Sequence, residues 1–173
     1  MEINKPVAGV AADLSQVRVV ITEVPDVPGN AARIFEMLSD SDISVDMIIQ
    51  SYGRSDETND IAFTVSVSDY LKTMEIVKQI IKEIIASVVL VDEDIAKVSI
   101  VGAGMVDRPG IAASMFKALA ENSINIKMIS TSEIKISCLV EKNQAQSAIK
   151  ALHTAFHLDS TDEAVVMGDL PNI

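Results

Sequence analysis

The chain has 173 residues, a formal net charge of −11 and a hydrophobic content of 49%. This composition supports a folded core and excludes a disordered chain, while the negative charge disfavours nucleic acids and anionic membranes as partners. The apolar runs are far shorter than the roughly 20 residues that span a bilayer, and the N-terminus has no secretory pattern. We therefore expect a globular, cytoplasmic protein with no nucleic-acid or membrane partner.

Residues 1–15 contain one short candidate strand. The segment VAGVAADLSQ, residues 7–16, is apolar and then ends in a turn-forming stretch. We expect this leading strand to complete the edge of a sheet, and the sequence leaves open which sheet it joins.

Residues 16–94 are predicted to form a first module with the order βαββαβ. Alternation in VRVVITEV predicts a strand, and apolar residues at i, i+3, i+4 and i+7 from Ala31 predict a helix that begins near Pro28. The remaining predicted elements are a strand near 44–51, a strand at 61–67, a helix over 69–86 and a strand at 87–91.

Residues 95–173 repeat the first module. A shift of 81 residues places VDRPGIAASMF on PDVPGNAARIF, so Asp107 falls on Asp26 and Gly110 on Gly29. The repeat predicts strands at 96–102, 124–130, 134–140 and 163–167, and helices over 109–122 and 143–156. We interpret an internal duplication, which makes the fold α+β: two tandem ferredoxin-like modules, each an antiparallel sheet with two helices on one face.

A glycine pair in VSIVGAGMVD only partly matches a dinucleotide-binding motif. Gly102 and Gly104 follow a predicted strand, but Asp107 stands at the third glycine position and the helix is predicted to begin only at Pro109. The first copy has no glycines at the matching place. We therefore do not predict a nucleotide site or any other cofactor site.

Three further side chains are candidates for chemistry: His153, His157 and Cys138. His153 and His157 have a spacing that can hold a metal on a helix, but two exposed polar residues explain them better, so no metal is predicted. Cys138 lies in the apolar segment ISCLV and is expected to be a buried small side chain rather than a nucleophile. Because no nucleophile and base stand in a recognisable arrangement, we predict no catalytic residue.

The repeated D-x-P-G turn allows two interpretations. Asp26 could cap the helix that follows Pro28, which would make the turn purely structural. Alternatively, the turn could bind a zwitterion, whose carboxylate would meet the N–H groups of Gly29 and Asn30 while its ammonium would meet Asp26. The sequence by itself favours neither interpretation.

A D-x-P-G turn after the first strand of a βαββαβ unit resembles the ACT domain, a regulatory module that binds amino acids in biosynthetic enzymes. Several segments are similar, in order and spacing, to the tandem ACT region of aspartate kinase. They are GVAADLSQVRV, DVPGNAARIF, ISVDMIIQ, NDIAFTV, AKVSIVGAGM, RPGIAASMFKAL, INIKMISTSEIKIS, ALHTAF and DEAVV. ISTSEIKIS, residues 129–137, is the most distinctive of them.

The resemblance implies a regulatory β subunit, or a C-terminal regulatory region, that mediates feedback inhibition of aspartate kinase by threonine, lysine or both. By itself such a chain would have no activity. Its implied partners are a second copy of itself and the catalytic α subunit or domain. A valine-sensing small subunit of acetolactate synthase is the alternative, and ISTSEIKIS argues against it. An acylphosphatase-like enzyme would need an arginine in the loop after the first strand, where VPDVPG is acidic instead. An RNA-binding sheet would need surface aromatic residues that the central strands IAFTVSV and IKISCLV lack, and a bare oligomerisation module is a further alternative.

The resemblance also implies effector-binding residues. Asp26 would hold the ammonium, backbone groups near Gly29 and Ile126 would hold the carboxylate and ammonium, and Gln50 and Asn125 would supply polar side-chain atoms. The full implied set is Asp26, Gly29, Asn30, Ala31, Gln50, Asn125, Ile126 and Ser132. A second implied site uses Asp107, Gly110 and Ile111. Arg108, Ala112 and Ser44 depart from the family pattern and bear on the choice of ligand.

Overall fold

The structure of the protein is a computed structural model that describes residues 6–105 and 108–158. It divides into two compact units, of which one is continuous, from Ser15 to Glu93. The other unit combines the segment up to Leu14 with the residues from Asp94 onward. We call them the first and the second module respectively.

The described residues form eight strands and four α-helices. In chain order they are β1 (Gly9–Asp13), β2 (Gln16–Pro25), α1 (Asn30–Ser39), β3 (Val45–Tyr52), β4 (Thr58–Ser66), α2 (Tyr70–Ile84), β5 (Val89–Asp92), β6 (Ile95–Val101), α3 (Ile111–Glu121), β7 (Met128–Thr131), β8 (Lys135–Glu141) and α4 (Ala145–Ala155). The predicted βαββαβ order is confirmed for the first module, and the fold class is confirmed for the chain.

The first module is one antiparallel sheet with the strand order β3-β4-β2-β5. Alternate residues of β2, beginning at Val17, share a core with Ile34 and Leu38 of α1 and with Val77 and Ile80 of α2. Since both helices contribute to this single core, they cover the same face of the sheet.

Phe63 of β4 lies at the centre of this core and is fully buried. Its ring meets the ring of Phe35 from α1 edge to face, with centroids 5.8 Å apart. This contact fixes α1 on the sheet at the middle of its length.

The second module has the strand order β1-β6-β8-β7, and all pairings are antiparallel. β1 pairs with β6 from Gly9 opposite Val101 to Asp13 opposite Lys97. It therefore holds the position beside β6 that β5 holds beside β2 in the first module. This pairing assigns the leading strand, which the sequence left open, to the sheet of the second module.

Cys138 of β8 lies in the core of the second module and has no exposed surface. Burial raises the pKa of its thiol to about 12, so the group stays protonated and unreactive at neutral pH. The prediction that Cys138 is a buried small side chain is confirmed.

One strand is shorter than predicted, and one predicted strand is not described. β7 begins at Met128 rather than at residue 124. The N–H of Ile124 donates to the carbonyl of Leu119, so this buried residue closes the end of α3 instead of extending the ladder. The predicted strand at 163–167 lies outside the described residues.

Arg33 of α1 and Glu83 of α2 join the two helices of the first module. The guanidinium donates two hydrogen bonds to the carboxylate, one of which is 3.0 Å long. Hydrogen bonding from Arg33 lowers the pKa of Glu83 below its ordinary value of 4.5. Both side chains are about half exposed, so solvent weakens the pair.

The lowered pKa of Glu83 predicts an acid-dependent contribution to stability. The contribution is present above the unfolded-state pKa near 4.5 and is lost as the pH falls through the lower folded-state pKa. Glu83→Gln should therefore lower the melting temperature slightly at pH 7 and by less at pH 3, as measured by circular dichroism. Glu75→Gln, on the same helix, is the control, and an equal effect of both variants would contradict the prediction.

Gly102 follows β6 and has no room for a side chain. A Cβ atom at this position would overlap the carbonyl oxygen of Pro6, which belongs to the segment that leads into β1. We expect Gly102→Ala to destabilise the second module by about 1–3 kcal/mol, because a backbone segment must move. Urea denaturation measures this change.

Gly9→Ala is the matched control, because no atom lies within 4 Å of its added Cβ. Its stability should stay close to that of the wild type. Similar denaturation midpoints for the Gly102 and Gly9 variants would contradict the close approach of the leading segment to β6.

Candidate functional site

The D-x-P-G turn of the first module is held by backbone hydrogen bonds. The N–H of Val27 donates to the carbonyl of Pro25 at 2.9 Å, and the N–H of Asp26 donates to the carbonyl of Glu57 at 2.8 Å. The side-chain amide of Asn30 also donates to the carbonyl of Pro25, at 2.8 Å. The turn is therefore fixed to the end of β2 and to the loop between β3 and β4.

The N-terminus of α1 has no side-chain cap. Gly29 is the N-cap residue, with a positive φ of 105°, and no side chain accepts a hydrogen bond from the first turn. The interpretation in which Asp26 caps the helix is therefore wrong.

Several N–H groups consequently stay free at this helix end. Within the described part of the chain, the N–H groups of Gly29 and Ala31 have no hydrogen-bond partner, while that of Asn30 makes a long contact of 3.4 Å to the carbonyl of Val27. Free N–H groups at the positive end of a helix attract an anion.

A cavity of about 250 Å³ opens in front of this helix end. It is lined by five of the predicted effector residues, which come from the turn, from α1 and from β3: Asp26, Gly29, Asn30, Ala31 and Gln50. The carboxylate of Asp26 is exposed and has no partner among the described residues. A carboxylate and free N–H groups thus face the same small space, which suits a zwitterion.

Two lining residues from β4, Asn59 and Ile61, were missed by the sequence reasoning. Asn59 is 8% exposed, although its side chain is polar. The available signal was the alternation in NDIAFTV, because Asn59 occupies the first place in a series of otherwise apolar inward-facing positions.

The other predicted effector residues lie in the second module. Asn125 and Ile126 stand between α3 and β7, and Ser132 stands in the turn between β7 and β8, where its N–H donates to the carbonyl of Lys135. Asn125 and Ser132 are exposed, and Ile126 packs partly against the core.

The second D-x-P-G turn has the same helix start as the first. Gly110 is the N-cap of α3 with a φ of 98°, there is no side-chain cap, and Ile111 is the first helical residue. Asp107, the third member of the predicted second site, lies outside the described residues. The duplication in sequence is therefore matched by a duplicated backbone geometry at Gly29 and Gly110.

Other candidate chemistry finds no support in the part of the chain that the structure describes. A short 3-10 turn, Ala103–Met105, follows β6 where a dinucleotide fingerprint would need a helix start. No group of three or more His, Cys, Asp or Glu side chains there could hold a metal ion. No described helix has the length and apolar character needed to cross a membrane.

Comparison with known proteins gives the family. The ACT domain matches residues 17–80 and again residues 98–156. The chain is 39% identical to the regulatory subunit of aspartate kinase from Thermus thermophilus, whose ligand-free crystal structure superposes with a TM-score of 0.82, over 88% of this chain and 99% of that one. The chain belongs to the aspartate kinase regulatory family of ACT-domain proteins.

Further relatives agree with this assignment of the regulatory chain. A crystal structure of aspartokinase alpha and beta subunits contains a chain that is 44% identical, with a TM-score of 0.81, over 87% of this chain and 99% of that one. The aspartokinase of Pseudomonas aeruginosa is 47% identical over 154 residues, which are 89% of this chain. The match spans 37% of the length of that relative, so this chain corresponds to only part of it.

The positive φ of Gly29 predicts a purely conformational cost of substitution. No atom lies within 4 Å of an added Cβ at this position, so Gly29→Ala should be destabilising only through the left-handed backbone, by about 1–2 kcal/mol. Urea denaturation should show a similar loss for Gly110→Ala. Gly9→Ala is the control with ordinary backbone angles, and destabilisation of equal size in this control would contradict the prediction.

Proposed function

We propose that the chain is the regulatory part of an aspartate kinase and binds free threonine, alone or together with lysine, to inhibit the kinase. The observation that carries this proposal is the cavity at the start of α1. Five residues that the resemblance implies as effector-binding line it, beside free N–H groups and an unpaired carboxylate.

The ligand is oriented by its main-chain groups. Its carboxylate accepts hydrogen bonds from the N–H groups of Gly29 and Ala31, at the positive end of α1. Its ammonium pairs with Asp26, which has no competing partner among the described residues. Asn30 acts indirectly, because its side chain is used to hold the carbonyl of Pro25.

The size and charge of the cavity favour threonine over lysine in this site. A volume of about 250 Å³ lies below the range of about 300–1,000 Å³ that is typical of pockets for drug-sized ligands. Asp26 is the one carboxylate among the described residues that line the cavity. Once it pairs with the α-ammonium, the side-chain ammonium of lysine has no acidic partner there.

The proposed site is completed by a second copy of the chain. Asn125, Ile126 and Ser132 of that copy would cover the open side of the cavity, and the dimer would carry an equivalent second site at Asp107, Gly110 and Ile111. Ligand binding would then favour one dimer arrangement, which the catalytic subunit or domain senses as an inhibited state. The ligand can do this only through different affinities for the two arrangements.

Isothermal titration of the purified chain with threonine tests the proposal. Asp26→Asn should weaken threonine binding by about tenfold or more, because a charge-assisted contact with the ammonium is lost. Asp40→Asn is the matched control: it removes the same charge from the exposed C-terminal end of α1 and should leave the affinity unchanged.

Titrations with lysine and valine complete the experiment. Heat with lysine only in the presence of threonine would indicate concerted binding. Heat with valine and none with threonine would favour the acetolactate synthase alternative. No heat with any of the three, from folded protein, would overturn the proposal.

A further inference from the structure

Asn59 occupies a position at which the fold otherwise places apolar side chains. Val65, Phe63 and Ile61 follow one another on the face of β4 that packs against the helices, and all three are buried in the core. Asn59 is the next residue on that face, because side chains alternate along a strand. It pairs with Val24 of β2 and is 8% exposed.

The carboxamide of Asn59 makes no hydrogen bond to another described residue, although the residue as a whole is 8% exposed. Asn59 instead lines the cavity at the N-terminus of α1. Its polar atoms are open to this cavity, so a ligand that fills the cavity must pair with them or leave them without water. A bound ligand would provide the missing partner.

The duplication gives this position a polar counterpart. Val19 pairs with Phe63 in the first sheet, and its repeat Ile100 pairs with Ile136 in the second. Phe63 and Ile136 are therefore equivalent, and the residues four positions before them are Asn59 and Ser132. In the second module this position lies in the turn before β8, where Ser132 is exposed, so the two polar residues match in the repeat but only Asn59 is buried.

We propose that Asn59 determines the specificity of the site, with its carboxamide hydrogen-bonded to the side-chain hydroxyl of threonine. This inference rests on the proposed function. The neighbouring Val24 and Ile61 offer only apolar contact, so they suit the methyl group of the same side chain. Gln50 also lines the cavity, but it is exposed and keeps its contacts with water.

Valine is the informative competitor, because it has the shape of threonine with a methyl group in place of the hydroxyl. The carboxamide can donate a hydrogen bond to the hydroxyl and accept one from it. Valine would leave the carboxamide buried without a partner, and a site built to bind a hydroxyl rejects the analogue that lacks it. Asn59 therefore excludes valine while the turn binds the main-chain groups common to all amino acids.

Isothermal titration of threonine and valine into the wild type and Asn59→Leu tests the inference. Leucine has a similar size but cannot form hydrogen bonds. We expect the ratio of the valine and threonine dissociation constants to fall by about tenfold in the variant. The melting temperature without ligand should stay close to that of the wild type, because the substitution removes no hydrogen bond between described residues and adds apolar contact beside Val24 and Ile61.

Thr64→Val is the matched control. Thr64 is a buried polar residue of the same strand, its hydroxyl accepts a hydrogen bond from the N–H of Met47, and it does not line the cavity. This variant should be less stable than the wild type and keep the wild-type ratio of the valine and threonine dissociation constants. Asn59→Ala provides a second test if the leucine variant does not fold, and we expect the same loss of preference from it.

The outcomes separate this inference from the proposed function. An unchanged ratio in the Asn59 variants, with threonine still bound by the wild type, would overturn the role of Asn59 and leave the proposed function standing. Wild-type protein that binds neither amino acid would overturn both. A wild type that binds valine as tightly as threonine would overturn the specificity role directly.

Discussion

The free N-terminus of α1 is the feature on which the proposed function depends. Gly29 takes a left-handed conformation, and no side chain caps the helix, so N–H groups are left for a ligand. The carboxylate of Asp26 lies in the same turn but makes no hydrogen bond to another described residue. A side-chain cap would stabilise the helix start, but it would occupy the N–H groups and leave no site for an anion. The turn therefore combines a small conformational cost with a binding surface.

The rest of the first module holds this helix end in place. Ile34 and Leu38 anchor α1 in the core, Phe35 packs against Phe63, and Arg33 is hydrogen-bonded to Glu83 of α2. These contacts stabilise the helix from one turn beyond its start. The first turn can therefore remain without a cap while its position on the sheet is still defined.

Much of the fold and part of the site could be predicted from local patterns. Alternation in the strands and helical spacing after Pro28 predicted the order of elements, and the repeat of D-x-P-G drew attention to the turn. Asn59 was missed because polarity by itself does not distinguish a buried residue from an exposed one near a strand end. The start of β7 was also misplaced, since Ile124 continues the apolar pattern but donates its N–H to the end of α3.

The sequence by itself determined the two modules and their duplicated turns, because strand and helix periods and the need for glycine at a positive φ are local properties of the chain. Only the tertiary structure decided which sheet receives β1 and which polar side chain turns inward at the cavity. The edge pairing of β1 with β6 joins segments about 90 residues apart, and such pairings leave no mark in local periodicity. The burial of Asn59 likewise follows from the register of β4 against β2, which exists only once the sheet has formed.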